Sequence, residues 1–228
     1  MNIKTDFTKL GETERENIEE QWRRELVKYK SIFSQIQGSF QKKKRAFFSF
    51  ICLLLDDILH AIQLDYDTDI ELLNLKVRRV FEVLMVLHWI NRHSPRDVYK
   101  QFALEQINFC DNLKQNSTLI PEAIRILDSH RSVAINGAQQ LGMLGIEREP
   151  LRRINFKDEA YLSQCEGVYN EIYNISSVLL HGGLFAAKFR MERPPDILYQ
   201  NLLFTRMIEL FPLIYAELKQ IQQIKKVY

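Results

Sequence analysis

An all-α fold follows from three observations. Apolar residues recur at three- and four-residue spacing along most of the chain, glycine and proline number only 8 and 6 in 228 residues, and no stretch sustains the alternation of a half-buried strand. The expected architecture is a single-domain multi-helix bundle of about seven helices over residues 1–228, long enough to bury a substantial core. Its parts are N-terminal helices at about 13–63, motif-bearing helices at about 68–183 and a C-terminal helix at about 196–225.

The first helix is expected to open at Thr13, with Glu16 reaching back to complete a capping box, and to end at Gly38. Ile18, Trp22, Leu26, Tyr29, Phe33 and Ile36 mark its buried face. A second helix, residues 40–63, is apolar over most of its circumference through Phe47, Phe48, Ile51, Leu54, Leu55, Ile58 and Ile62, which places it centrally. Thr68 and Glu71 repeat the capping box and start a third helix that runs to about Arg92. Arg78, Glu82 and His88 interrupt its apolar circumference and must find partners or reach water. Ser94-Pro95-Arg96-Asp97 combines a cap, a first-turn proline and an acidic third position, so a fourth helix follows to about Leu113.

Residues 112–119 read as a loop, and Pro121 opens a fifth helix through Gln140. Gly142, Gly145 and Pro150 make the next break. A sixth helix is expected from about Asp158 to His181, and after Pro194-Pro195 a last one begins near Asp196, with a kink at Pro212.

The formal net charge of +2 advertises no global affinity for nucleic acid or an anionic surface, so any such contact has to be local. Cys52, Cys110 and Cys165 are odd in number and lack a Cys-x-x-Cys spacing, which argues against a disulfide framework or a thiolate metal site and for a reducing cytoplasm. The acidic, polar N-terminus does not read as a secretory signal. The longest apolar run, residues 46–55, is too short to span a bilayer, so no membrane partner is expected. His60, His88, His93 and His130 show no metal-ligand spacing, and neither a metal nor a cofactor is expected.

The candidate site lies where polar groups recur every four residues up to a double glycine: Tyr169, Tyr173, Ser177 and His181, then Gly182 and Gly183. On a helix these side chains form one stripe. His181 can exchange a proton near neutral pH, and the glycines allow close approach of a ligand. The same residues also make an ordinary helix ending, with imidazole at the negative end of the dipole and Gly182 as the left-handed cap. Ser177 and His181 do not read as a hydrolase pair, because a mid-helix serine lacks a strained elbow and no Gly-x-Ser-x-Gly is present. Arg78 and Glu82 share a face of the third helix and make a second polar pair. The basic run Lys42-Lys43-Lys44-Arg45 beside Phe47 and Phe48 reads first as a solvated helix entry and second as a nucleic-acid contact.

Residues 75–82, carrying Arg78-x-x-x-Glu82, followed by Tyr173-x-x-x-Ser177-x-x-x-His181-Gly182, resemble a family of uncharacterised all-helical bacterial proteins. The resemblance covers residues 68–183 and implies that Arg78, Glu82, Tyr173, Ser177 and His181 meet between the third and sixth helices. That family is in turn similar to the HEPN (higher eukaryotes and prokaryotes nucleotide-binding) helical domains, many of which cut RNA in toxins and phage defence. Those nucleases place an arginine four to six residues before the histidine. Here residues 175–180 hold none, so only Arg78 could take that place.

Two functions are therefore expected to compete. In the first, the chain is a cytoplasmic effector or accessory component of a defence or toxin-like system acting on RNA or a nucleotide, with His181, Arg78 and Glu82 as catalytic candidates and Tyr173, Ser177 and Gly182 as binding candidates. In the second, it is a non-catalytic helical interaction module, working with a protein partner or as a homo-oligomer, in which the same cluster is structural.

Overall fold

Caps and fixed backbone angles read in the sequence start helices at Ser94-Pro95 and at Pro121. The computed structural model describes residues 12–43, 46–63, 70–116, 119–174 and 196–223, and among them there is no strand. The helices are α1 (Glu12–Gln41), α2 (Ala46–Ile62), α3 (Ile70–Arg92), α4 (Pro95–Asn116), α5 (Pro121–Gln140), α6 (Phe156–Leu162), the single turn α7 (Glu166–Val168) and α8 (Asp196–Gln223). A 3₁₀ turn, Ile146–Arg148, follows α5, and a π-helical segment, Tyr169–Asn174, continues α7. None of these helices is long and apolar enough to cross a membrane.

The contacts group into two compact units, one made of Met1–His88 with Asn155–Tyr228 and the other of Trp89–Ile154. In the first, α1 pairs with α2 and with α8. Trp22, Leu26, Tyr29, Phe33 and Ile36 are buried, as the periodicity of α1 predicts. Their aromatic rings meet those of α8: Trp22 stacks on Phe204 at 5.8 Å, and Tyr29 and Phe33 contact Phe211 at 5.2 and 5.7 Å. Such pairs contribute about 0.5–1.5 kcal/mol each beyond their area burial. Leu73, Val77, Val80, Phe81, Leu84 and Met85 bury several sides of α3, as expected for a helix apolar nearly all round.

In the second unit α4 and α5 form a hairpin over a small core of Ala103, Leu104, Ile107, Ala134, Ala138, Met143 and Ile146. The cap read at Ser94 is present and reciprocal: Asp97 N donates to Ser94 Oγ at 3.2 Å, and Ser94 Oγ donates to Asp97 Oδ2 at 2.6 Å. Close packing of the hairpin rests on Gly137, where an added Cβ would fall 2.1 Å from Tyr99 Oη.

Several boundaries differ from expectation. Gly38 lies inside α1, which carries on to Gln41 and buries Phe40 against Phe48, with ring centroids 5.4 Å apart. The second helix accordingly starts at Ala46, and α4 continues to Asn116 rather than yielding to a loop at Asn112. As expected, α8 begins at Asp196 and includes Pro212. The largest departure is the sixth helix, which is not continuous from Asp158. Asn155 caps it by accepting from Lys157 N, and it ends at Leu162. Gln164 takes a left-handed φ of 58°, Gln164 N donates to Tyr161 O, and Cys165 N donates to Ala160 O. This is a Schellman ending, after which the chain starts afresh at Glu166. The capping side chains of Thr13 and Thr68 lie outside the described residues.

Candidate functional site

Arg78 and Glu82 stand one turn apart on α3, and Arg78 Nε donates to Glu82 Oε1 at 3.0 Å. Both side chains are mostly enclosed, 15% and 16% exposed. The Arg78 guanidinium also lies over the Tyr173 ring, 4.4 Å from its centroid. Tyr173 stacks on Tyr169 at 4.9 Å with an interplanar angle of 14°, Tyr169 contacts Phe81 at 6.3 Å, and Phe156 meets Tyr173 edge-on. The cluster is thus a layered stack of cation and rings between α3 and the π-helical segment.

The structure brings together Arg78, Glu82 and Tyr173. Ser177, His181 and Gly182, and with them the helix-ending alternative, lie outside the described residues. Tyr169 and Tyr173 share a face although the segment bonds in the i→i+5 pattern. Burial pushes the Tyr169 phenol up, Tyr173 adds to that shift, and the positive Arg78 partly opposes it.

Arg79, the next residue, is exposed and bridges two carboxylates. Its Nε and Nη2 donate to Asp57 Oδ2 on α2 at 3.1 and 2.8 Å, and its Nη1 reaches Glu82 Oε2 at 3.4 Å. Glu82 is therefore held between two arginines. A carboxylate so placed is an acceptor for guanidinium, not a group free to orient an imidazole.

Sequence reasoning missed Glu159 and Arg206 and left His88 without a partner. His88 Nδ1 lies 2.9 Å from Glu159 Oε2 of α6, a carboxylate side chain only 8% exposed. The two side chains tie α3 to α6 across 71 residues of sequence. Arg206 of α8 pairs through Nη2 with Glu171 of the π-helical segment at 2.5 Å, and through Nη1 with Glu209 at 2.7 Å. Burial works against the charge on Arg206, but Glu209 and Glu171 outweigh it and keep the guanidinium firmly protonated. Among the described residues its Nε is buried without an acceptor. The polar interruption at His88 was visible in the sequence; the identity of its partner, 71 residues away, was not.

The basic run is partly explained by packing. Lys43 Nζ lies 5.1 Å from the centroid of the Phe48 ring, and Phe48 is core. Among the described residues no group of histidine, cysteine and carboxylate side chains is arranged to hold a metal ion. Comparison of the chain with protein-family models, curated proteins and solved structures returned no match in any of the three.

Proposed function

We propose that the chain is a non-catalytic, cytoplasmic helical interaction module in which the Arg78–Glu82–Tyr173 cluster locks the π-helical segment onto α3. One observation carries this reading: the Arg78 guanidinium is already engaged by Glu82 through Nε and by the face of Tyr173. An arginine that binds phosphate uses its planar fork on the ligand. Here the Nε edge of that fork is already taken by an enclosed ion pair. Arg206–Glu171 fastens the same segment to α8, which suits a structural part held at two points.

The second reading, an effector acting on RNA or a nucleotide, draws on one specific feature. A π-helical turn ends at Asn174, seven residues before His181 in the sequence, and such turns recur at functional sites. Similarity to the uncharacterised helical family and to HEPN domains supports this reading too. In it His181 would handle protons and Arg78 would leave Glu82 to meet negative charge.

Thermal melts and RNA integrity in expressing cells, compared for wild type, Arg78→Ala and His181→Ala, separate the two. The structural reading expects a lower melt for Arg78→Ala and intact RNA with wild type and His181→Ala alike. RNA loss on wild-type expression, abolished by His181→Ala at an unchanged melt, would replace it with the second.

A further inference from the structure

The α4–α5 unit distributes its charge unevenly. Near the connection between the two helices, arginine and lysine are neutralised: Lys114 pairs with Asp128, Arg131 with Asp111 at 2.8 Å and Arg125 with Glu122 at 3.0 Å. Around the first turns of α4 they are not. Arg96, Arg148, Arg152 and Arg153 are exposed, with no carboxylate partner among the described residues. Arg96 Nη2 reaches Gly142 O at 3.5 Å, which puts this side chain at the turn after α5; Arg148 lies in the 3₁₀ turn that follows, and Gln101 Nε2 of α4 donates to the backbone O of Arg152 at 2.8 Å. Of the carboxylates nearby, Glu149 pairs with Lys100, Asp97 is bonded to Ser94, and Glu147 is exposed.

Beside these arginines the turn after α5 holds out two leucines. Leu141 is 50% exposed and Leu144 81%. Gly142 and Gly145 take φ of +75° and +73°, which reverses the chain twice within four residues. Met143 and Ile146 point into the core and anchor the turn, so the leucines stand out from a fixed base. An apolar apex with Arg96 at its turn and exposed arginines in the segment that follows is complementary to an interface with acyl chains below and phosphates above.

We infer that this tip docks on an anionic phospholipid surface, with Leu141 and Leu144 entering the headgroup boundary and Arg96, Arg148, Arg152 and Arg153 meeting lipid phosphates. The cytoplasmic leaflet carries that charge. A nucleic-acid backbone would use the arginines but gives the protruding leucines no role. A peptide partner would want a groove, whereas these leucines stand on a turn. The inference goes beyond the proposed function and concerns a different part of the chain.

The test uses the full chain with vesicles of phosphatidylcholine alone and of phosphatidylcholine with phosphatidylserine, and reads the bound fraction by flotation. Binding is expected to the anionic vesicles only and to weaken with salt. Arg148→Gln and Arg152→Gln should each reduce it about fivefold. Leu144→Ser should reduce it by about tenfold or more. All three side chains are exposed, so the thermal melt should not move. Failure to bind anionic vesicles at low salt, or binding indifferent to Leu144→Ser, overturns the inference. So does tighter binding to a single-stranded RNA oligonucleotide that survives Leu144→Ser, which would assign the arginines to nucleic acid.

Discussion

Replacing Arg78 by alanine tests whether the cluster is a lock. The substitution removes the Nε–H···Glu82 bond at 3.0 Å and the guanidinium from the face of Tyr173. A hydrogen bond to a charged group is worth about 1.5–3 kcal/mol, and a partly desolvated cation–π contact about 1 kcal/mol. Two features reduce the sum: Glu82 keeps Arg79 at 3.4 Å, and its side chain is 16% exposed, so water can reach the orphaned carboxylate. The expected loss is about 2–3 kcal/mol. For a chain of this size that lowers the melting temperature by roughly 5–10 °C, at about 2–4 °C per kcal/mol. Arg78→Lys keeps a positive charge but loses both the Nε–H and the flat surface that covers Tyr173, so it should lose about half as much. A double-mutant cycle with Glu82→Gln should give a coupling of about 1–2 kcal/mol. A melt within about 2 °C of wild type for Arg78→Ala, with no coupling, would refute the lock.

Gln164→Gly should stabilise the chain by about 1 kcal/mol in a denaturant titration, because glutamine at φ 58° carries the left-handed penalty that glycine does not. Gly38→Ala should also stabilise, by about 0.5–1 kcal/mol, since it lies within α1 and an added Cβ meets nothing within 4 Å. Gly137→Ala gains the same helix propensity but must displace the Tyr99 ring, so it should be destabilising by about 1 kcal/mol; a stabilised variant would mean that the α4–α5 contact yields freely. The Tyr169 phenol is raised by burial, so its contribution is present at neutral pH and is lost as pH climbs through its folded-state value above 10. In an ultraviolet titration Tyr173→Phe should bring the Tyr169 midpoint down. Arg78→Ala should move it further up, and the reverse order would place the two side chains wrongly.

What the sequence revealed depended on whether the signal was local. α5 is bounded as read, because Pro121 fixes its first turn and Gly142 supplies a left-handed residue just past its end. Met143 N donates to Ala138 O and Gly142 N to Gln139 O, which completes a Schellman ending. α6 closes with the same two bonds around Gln164, yet no glycine marks the place, so the periodic pattern reads straight across the break. Gly38 misleads in the opposite direction. Its backbone stays helical because Ile36 and Phe40 are buried on either side of it, and tertiary packing outweighs about 1 kcal/mol of propensity. Arg78 and Glu82 were legible as a pair from their spacing. That Tyr173 meets Arg78 was implied by the family resemblance alone; spacing does not contain it, because the contact forms across a chain that turns at Gln164.

The carboxylates constrain any chemistry in the first unit. Glu82 was one of three catalytic candidates, and as a carboxylate it could in principle orient an imidazole. Its two oxygens instead face Arg78 at 3.0 Å and Arg79 at 3.4 Å, and Arg79 is itself tied to Asp57. Freeing Glu82 for an imidazole means breaking a pair in which a single-partner loss alone costs about 2–3 kcal/mol by the estimate above. The carboxylate that does orient a histidine is Glu159, through His88, on a helix that the sequence reading ran together with its successor. An acid–base role for His181 therefore requires either a different orienting group or a rearrangement that empties the Arg78 cluster. In the second case Glu82→Gln would help rather than harm activity, because a neutral amide holds Arg78 less tightly. A gain of RNA cleavage in Glu82→Gln, abolished again by His181→Ala, is the result that would turn the lock into a latch. Unchanged RNA in both variants leaves Arg78 and Glu82 as parts of the scaffold.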